Sequence, residues 1–382
     1  MNKLIHTKFN KEKKRNPNID LIRIAGMLAI IIVHMFQHGD IFNKYKKFIG
    51  LQLINIFCKW HVSSFGMISG IVGNLNHKYS NLFYLWLIAV FYLFIIYMIF
   101  IKSYHSKIKE TPSKYIFPVT YGHYWYFTAY FGIYSFMPFI NASITILPKI
   151  TVKKSIYFMI GMFIIWTSLF GDIFAQHAGY TPITLFIYYI FGAYIGKYIF
   201  FKNFEIFFRF LICVICLIIY IFISVISYNI GIKNSYPNIN TEFKRLFETY
   251  INCLPTLIQV FSIIIFIAQI KFNKYISRII SFIGPLTFDV YLIHENPYIR
   301  KHYVGKYVSR QSNELNLTEV NFFVFKGCIY IFIICITIAY LRNIIFKVMK
   351  IKNICILVVL ILACSDNLDS KLSPSVSQFS TK

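Results

Sequence analysis

The sequence predicts an all-α, polytopic integral membrane protein with about ten transmembrane helices. Of its 382 residues, 57% are hydrophobic and 14% charged, with a mean hydropathy of +0.60; a soluble globule carries about 25% charge. Apolar runs of the length a helix needs to cross a bilayer, roughly 20 residues, recur along the chain. Aromatic residues make up 19%, mostly Phe and Tyr, which suits lipid contact and interfacial belts. Membrane lipids are therefore the first expected partner.

The net charge of +25 raises nucleic-acid binding. The basic residues, however, lie mainly in short loops between apolar runs, the positive-inside pattern, so no nucleic acid is expected. Eight scattered Cys do not suggest a disulfide framework. Cys213 and Cys216 form a C-x-x-C within a wholly apolar run lacking charged neighbours, which favours neither a thiolate nor a metal. No metal is expected anywhere.

In chain order, residues 1–17 read as a basic cytosolic arm. No small-residue cleavage site follows the first apolar run, which is too long for a signal-peptide core. Ten spans follow, at 18–37, 49–73, 82–101, 124–147, 155–174, 182–200, 209–228, 251–270, 279–297 and 322–346. Residues 18–347 are the expected membrane domain. The arm Lys11–Arg15 and the basic loops Lys149–Lys154, Lys197–Arg209, Lys271–Arg278 and Arg342–Lys352 put the N-terminus in the cytoplasm. Lys102–Lys114 and Arg300–Arg310 are basic yet fall outside. The tail, 348–382, opens with Met349–Cys364, which resembles a bacterial lipoprotein signal at the wrong end of a chain. It is expected to be a short interfacial or partly inserted segment with a disordered end, with a fused or misread gene boundary as the alternative.

The first span carries the most informative polar residues. Arg23 and His34 are eleven positions apart, about 1100° of helix, or three turns plus roughly 20°. They share one face, roughly 16 Å apart along the axis, and Asp20 is placed to pair with Arg23 within one turn. Ionisable groups inside a membrane helix usually face a bundle interior or a water-filled cavity. In span 2, Lys59, His61, Ser63, Ser64 and Ser69 are too polar for lipid and read as a cavity lining. Gly66 and Gly70 form a G-x-x-x-G that permits close helix approach.

With the N-terminus inside, His34 and His38, His123 to Trp125, Asp172 with His177, and His294 with Glu295 all face the outer surface. Histidine suits acid–base work near neutral pH. A pairing of His34 with Asp172 or Glu295 would activate a hydroxyl.

These motifs resemble the bacterial membrane acyltransferase-3 family. Arg23-x10-His34 in a helix opening NIDLIRI is similar to its first-helix signature, and Phe65-x-Met67-Ile68-Ser69-Gly70 to its F-x-M-I-S-G stretch. Tyr124-Trp125-Tyr126-Phe127 through Asn141 resembles its fourth helix, and Thr287 to His294 its late helix ending Y-L-I-H. Ten helices also fit, and the resemblance spans residues 18 to about 346. It implies transfer of an acyl group, usually acetyl from cytosolic acetyl-CoA, to a hydroxyl of a surface polysaccharide or related glycan. By resemblance, His34 is the catalytic histidine and Arg23 the essential arginine, set near the cytosolic face to meet a CoA phosphate.

The family's R-x-x-R-like donor element is absent. Lys153, Lys154 and Arg278 are stand-ins. His61, Lys59 and Ser69 are expected to line the path, Trp125 and His294 to contact the acceptor, and Asp172 or Glu295 to orient His34. The expected setting is the bacterial cytoplasmic membrane, with a glycan-synthesis complex as a further candidate partner. The rival reading is an exporter of a polysaccharide or lipid-linked glycan precursor.

Overall fold

The computed structural model describes residues 15–45, 49–73, 78–103, 113–167, 174–199, scattered positions within 205–222, 253–268 and 270–372. Among these, all regular structure is helical. The organising helix is α1, Pro17–His38. Pro17 occupies its first turn, where no amide partner is lost, and the Asn16 side chain accepts from the Asn18 amide at 2.9 Å.

Span 2 was expected as one helix. It is two, α2 (Ile49–Cys58) and α3 (His61–Val72), broken at Lys59-Trp60. The His61 Nδ1–H caps the Cys58 carbonyl at 2.5 Å, satisfying an acceptor at the break. Next comes α4, Tyr79–Ser103. Span 4 also divides, into α5 (Trp125–Tyr134) and α6 (Met137–Ile146), because Pro138 cannot sit in a helix interior. Helix α7, Lys149–Met159, continues as a wider π-helical stretch to Ile165. Lys149–Lys154, expected as a loop, forms its first turns. Lysine is a good helix former, and Lys149 and Lys153 lie over the Tyr198 and Tyr157 rings at 5.2 and 5.4 Å.

The remaining helices are α8 (Pro182–Tyr198), α9 (Leu254–Ala268), α10 (Lys274–Ile283), α11 (Thr287–His294), α12 (Leu317–Val348) and α13 (Ile351–Leu372). A 3₁₀ turn at Gly284–Leu286 joins α10 to α11. Span 209–228 lies largely outside the described residues. After a turn at Lys350 (φ 51°), the tail forms α13, which folds back against α4; residues 373–382, where the disordered end is expected, lie outside the described residues. Residues 351–362 of α13 are apolar enough to pack and contain no proline to stop the helix.

Among the described residues, four helical segments are long and apolar enough to cross a membrane: Pro17–His38, Tyr79–Phe100, Lys274–His294 and Leu317–Val348. Helix α1 is the hub, with 67% of its apolar window buried against 22% for α12, and it packs on α2, α3, α9, α10, α11 and α12. Its Asn18 side chain donates to the Ile267 and Ile270 carbonyls (2.7 and 3.0 Å), capping the C-terminal end of α9. Helices α3 and α8 pack closely along their length. A Cβ at Gly70 would fall on the Tyr189 carbonyl, and one at Gly192 on the Met67 carbonyl, so the two backbones touch as small residues allow.

Candidate active site

A cavity of about 710 Å³ runs beside α1. Arg15 and Arg23 line one end, and His34, His38, Glu295 and Arg300 the other. The eleven-residue spacing thus does what helix geometry demands, presenting Arg23 and His34 to one space. Helices α3, α5 and α11 supply the opposing wall through His61, Phe65, Ser69, Trp125, Tyr126, Tyr130, Phe288 and Tyr291.

At the His34 end, four groups interlock. The His294 Nδ1–H donates to the Val290 carbonyl at 2.6 Å. A carbonyl only accepts, so His294 Nε2 carries the lone pair. His34 Nδ1 lies 3.1 Å from that Nε2 and 2.9 Å from Glu295 Oε1. Both neighbours are acceptors, so the proton of neutral His34 sits on Nδ1. Its Nε2 is left as a base, with no hydrogen-bond partner among the described residues. Glu295 Oε1 also accepts from His38 Nε2 at 3.1 Å, and Oε2 from Arg300 Nη1 at 3.1 Å. The His34 side chain keeps 14% exposure while that of Glu295 keeps 5%. The base is reachable and its orienting carboxylate is shielded. His34, His294 and Glu295 also bring ligand atoms within 4.8 Å of one another. A cation there would have to displace the shared proton and sit beside the Arg300 guanidinium, so these residues fit a proton network better than a metal.

At the other end, Asp20 is fully buried. It accepts from Arg15 Nε and Nη2 at 2.5 and 2.8 Å and from Arg23 Nη1 at 2.7 Å. Gly284 makes the close approach possible, since a Cβ there would lie 2.5 Å from the Asp20 Cβ. One carboxylate therefore holds two guanidinium groups at the cavity mouth, both partly exposed. That is the geometry for receiving phosphate oxygens.

Other sequence candidates separate clearly. His61, Ser69 and Trp125 line the cavity. The Trp125 ring meets Tyr180 edge-on at 5.0 Å. His294 is buried behind His34 and touches it, outside the lining. Lys59, expected in the lining, is absent from it: the break at Lys59-Trp60 buries its side chain beside Cys58 and Cys253. Lys153 and Lys154, on α7, and His177 are exposed and outside the cavity lining. Asp172 lies outside the described residues. Arg15 and Arg300 were missed. Each sits five residues from the carboxylate it pairs with, a spacing that regular helix periodicity does not bring together, so only their charge signalled them.

A family model described as an acyltransferase domain matches residues 16–365, nearly the whole chain. The chain is a member of the acyltransferase-3 family. The match begins at the N-cap of α1 and runs into α13, so the first part of the segment read as a tail, up to residue 365, lies within the stretch that matches the family. No curated protein and no solved structure gives a significant match. Membership makes the protein a membrane acyltransferase, consistent with the four bilayer-length helices among the described residues.

Proposed function

We propose that this acyltransferase is an O-acetyltransferase, taking acetyl from cytosolic acetyl-CoA and placing it on a hydroxyl of a cell-surface or exopolysaccharide glycan. The observation that carries this reading is the base at His34, set at one end of a cavity whose other end holds two arginines on one buried carboxylate. Arg15 and Arg23 take the phosphates of the donor, and its slender thioester arm extends along the cavity toward His34. The N-terminus faces the cytoplasm of a bacterial cell, so the donor enters from inside and the acceptor from outside.

His34 Nε2 removes the proton of the acceptor hydroxyl as its oxygen attacks the thioester carbonyl carbon. The C–O bond forms, the C–S bond breaks, and the departing thiolate takes the proton back from the imidazolium. Glu295 holds the ring in the required tautomer and stabilises its transient positive charge, the role a carboxylate plays behind a catalytic histidine. Cavity-lining aromatic rings, Trp125 and Tyr126 among them, offer faces for a sugar ring.

The test is the ester-linked acyl content of the surface polysaccharide, measured by mass spectrometry in wild type, in a deletion, and in the deletion restored with His34→Gln at equal expression. The esters are expected to vanish in the deletion and to stay absent with His34→Gln. Glycan accumulating inside the cell with unchanged ester content would overturn the reading in favour of export.

A further inference from the structure

A second concavity, about 820 Å³, opens beside the first and shares His38 and Arg300 with it. Its remaining lining is Pro297, Lys301, Gly305, Lys306, Ser309, Arg310 and Asn313. Its size lies within the roughly 300–1,000 Å³ of ligand pockets. The segment Pro297–Asn313 carries Arg300, Lys301, Lys306 and Arg310 and no acidic residue. Arg300 is committed to Glu295. Lys301, Lys306 and Arg310 are exposed and have no ion-pair partner among the described residues.

Backbone geometry gathers these cations. Arg300–Tyr307 is π-helical, so residues five apart are about one turn apart. Lys301 and Lys306 therefore fall on one side, and Arg310 follows one α-helical turn later in Val308–Ser312. In an uninterrupted α-helix Lys301 and Lys306 would diverge by roughly 140°. The segment packs on α1, with Gly305 beside the His38 carbonyl. Under the orientation proposed above, these cations also stand on the outer side, against the usual placement of Lys and Arg.

We propose that this groove is the acceptor subsite and that it selects an anionic glycan, one bearing phosphate or carboxylate groups along its chain. The inference rests on the acyl-transfer reading for direction alone. The groove leads into the wall that holds His34 and Glu295, so a polyanion lying on Lys301, Lys306 and Arg310 presents a neighbouring hydroxyl to the base. Ser309 and Asn313 supply hydrogen-bonding groups for sugar hydroxyls between the charges. A lipid headgroup would need the cations but not a concavity continuous with the base.

The experiment uses the full chain in phosphatidylcholine nanodiscs and three end-labelled oligomers of equal length: a poly(glycerol phosphate), an oligogalacturonate and a neutral maltooligosaccharide. Binding is read without acyl donor, so failure of the transfer test leaves this result standing, and the reverse holds too. At least one anionic oligomer is expected to bind at least about tenfold more tightly than the neutral one. Raising salt from about 0.05 to about 0.5 M should weaken it, as screening requires. Lys301→Gln/Lys306→Gln/Arg310→Gln, confirmed folded by its thermal unfolding, should remove the preference. Equal binding of the neutral oligomer, or a salt-independent preference, would overturn the proposal in the wild-type protein alone. So would an anionic preference that survives in the triple variant or disappears when phosphatidylglycerol replaces phosphatidylcholine, the latter assigning the groove to a lipid headgroup.

Discussion

At the scale of single residues, what matters at His34 is which nitrogen holds the proton. The Val290 carbonyl decides it at one remove, by fixing the tautomer of His294. Glu295 then holds the Nδ1 proton of His34 at 2.9 Å. Glu295→Gln keeps the shape but removes the charge that stabilises the imidazolium, so kcat is expected to fall by about 10²-fold or more with the KM for acyl donor nearly unchanged. Steady-state transfer kinetics on the purified protein check this, and an unaltered kcat would leave Glu295 a structural group. Arg15 makes the opposite prediction. Its guanidinium shares Asp20 with Arg23 at the far mouth, so Arg15→Ala should raise the donor KM severalfold and leave kcat near wild type, the mark of binding equally strong in ground and transition states.

At the scale of elements, two glycine pairs carry the close packing. Gly66-x-x-x-Gly70 was legible in span 2. Its partner, Gly192-x-x-x-Gly196 on α8, became visible only when the structure brought Gly192 onto Met67 and Gly196 onto Ile71. Gly192→Leu has nowhere to go but into backbone. It is expected to abolish the monodisperse folded peak in fluorescence-detected size-exclusion chromatography, since overpacking already costs about 1–3 kcal/mol where only side chains must move. The breaks within spans 2 and 4 show where apolar pattern misleads. Hydropathy reads straight through Lys59-Trp60 and Ser135-Phe136, because both flanks are apolar. Pro138 marks the second break in the sequence, whereas no residue at Lys59-Trp60 forbids a helix.

At the scale of the molecule, a buried network ties together three helices distant in sequence. Asp289 on α11 pairs with Arg342 on α12 and accepts from Tyr92 on α4 at 2.7 Å, while Arg342 also reaches Tyr84 at 3.2 Å. Removing one partner strands the other charge in an apolar interior, so Arg342→Ala should destabilise the fold by about 3–5 kcal/mol, read as a lowered thermal-unfolding midpoint in detergent. The double change Asp289→Leu/Arg342→Met, which leaves neither charge, should recover most of that loss; if it does not, the network acts through shape and not charge.

The sequence by itself determined the membrane class, the family, the first helix with Arg23 and His34 on one face, and the small set of histidines and carboxylates from which the site is drawn. These are local properties: length of apolar run, helical periodicity and motif order all lie within a few turns of chain. Only the tertiary structure decided that Glu295 stands behind His34, that Arg15 joins Arg23 on Asp20, that Lys59 turns away from the cavity, and that α13 folds back on α4. Each of these is either a meeting of side chains far apart in sequence or a contact or turn at a helix end or irregular joint, where periodicity stops. An ionisable group in an apolar interior must find a partner to persist there, but many partners satisfy that demand equally, and the packing of the helices chooses among them.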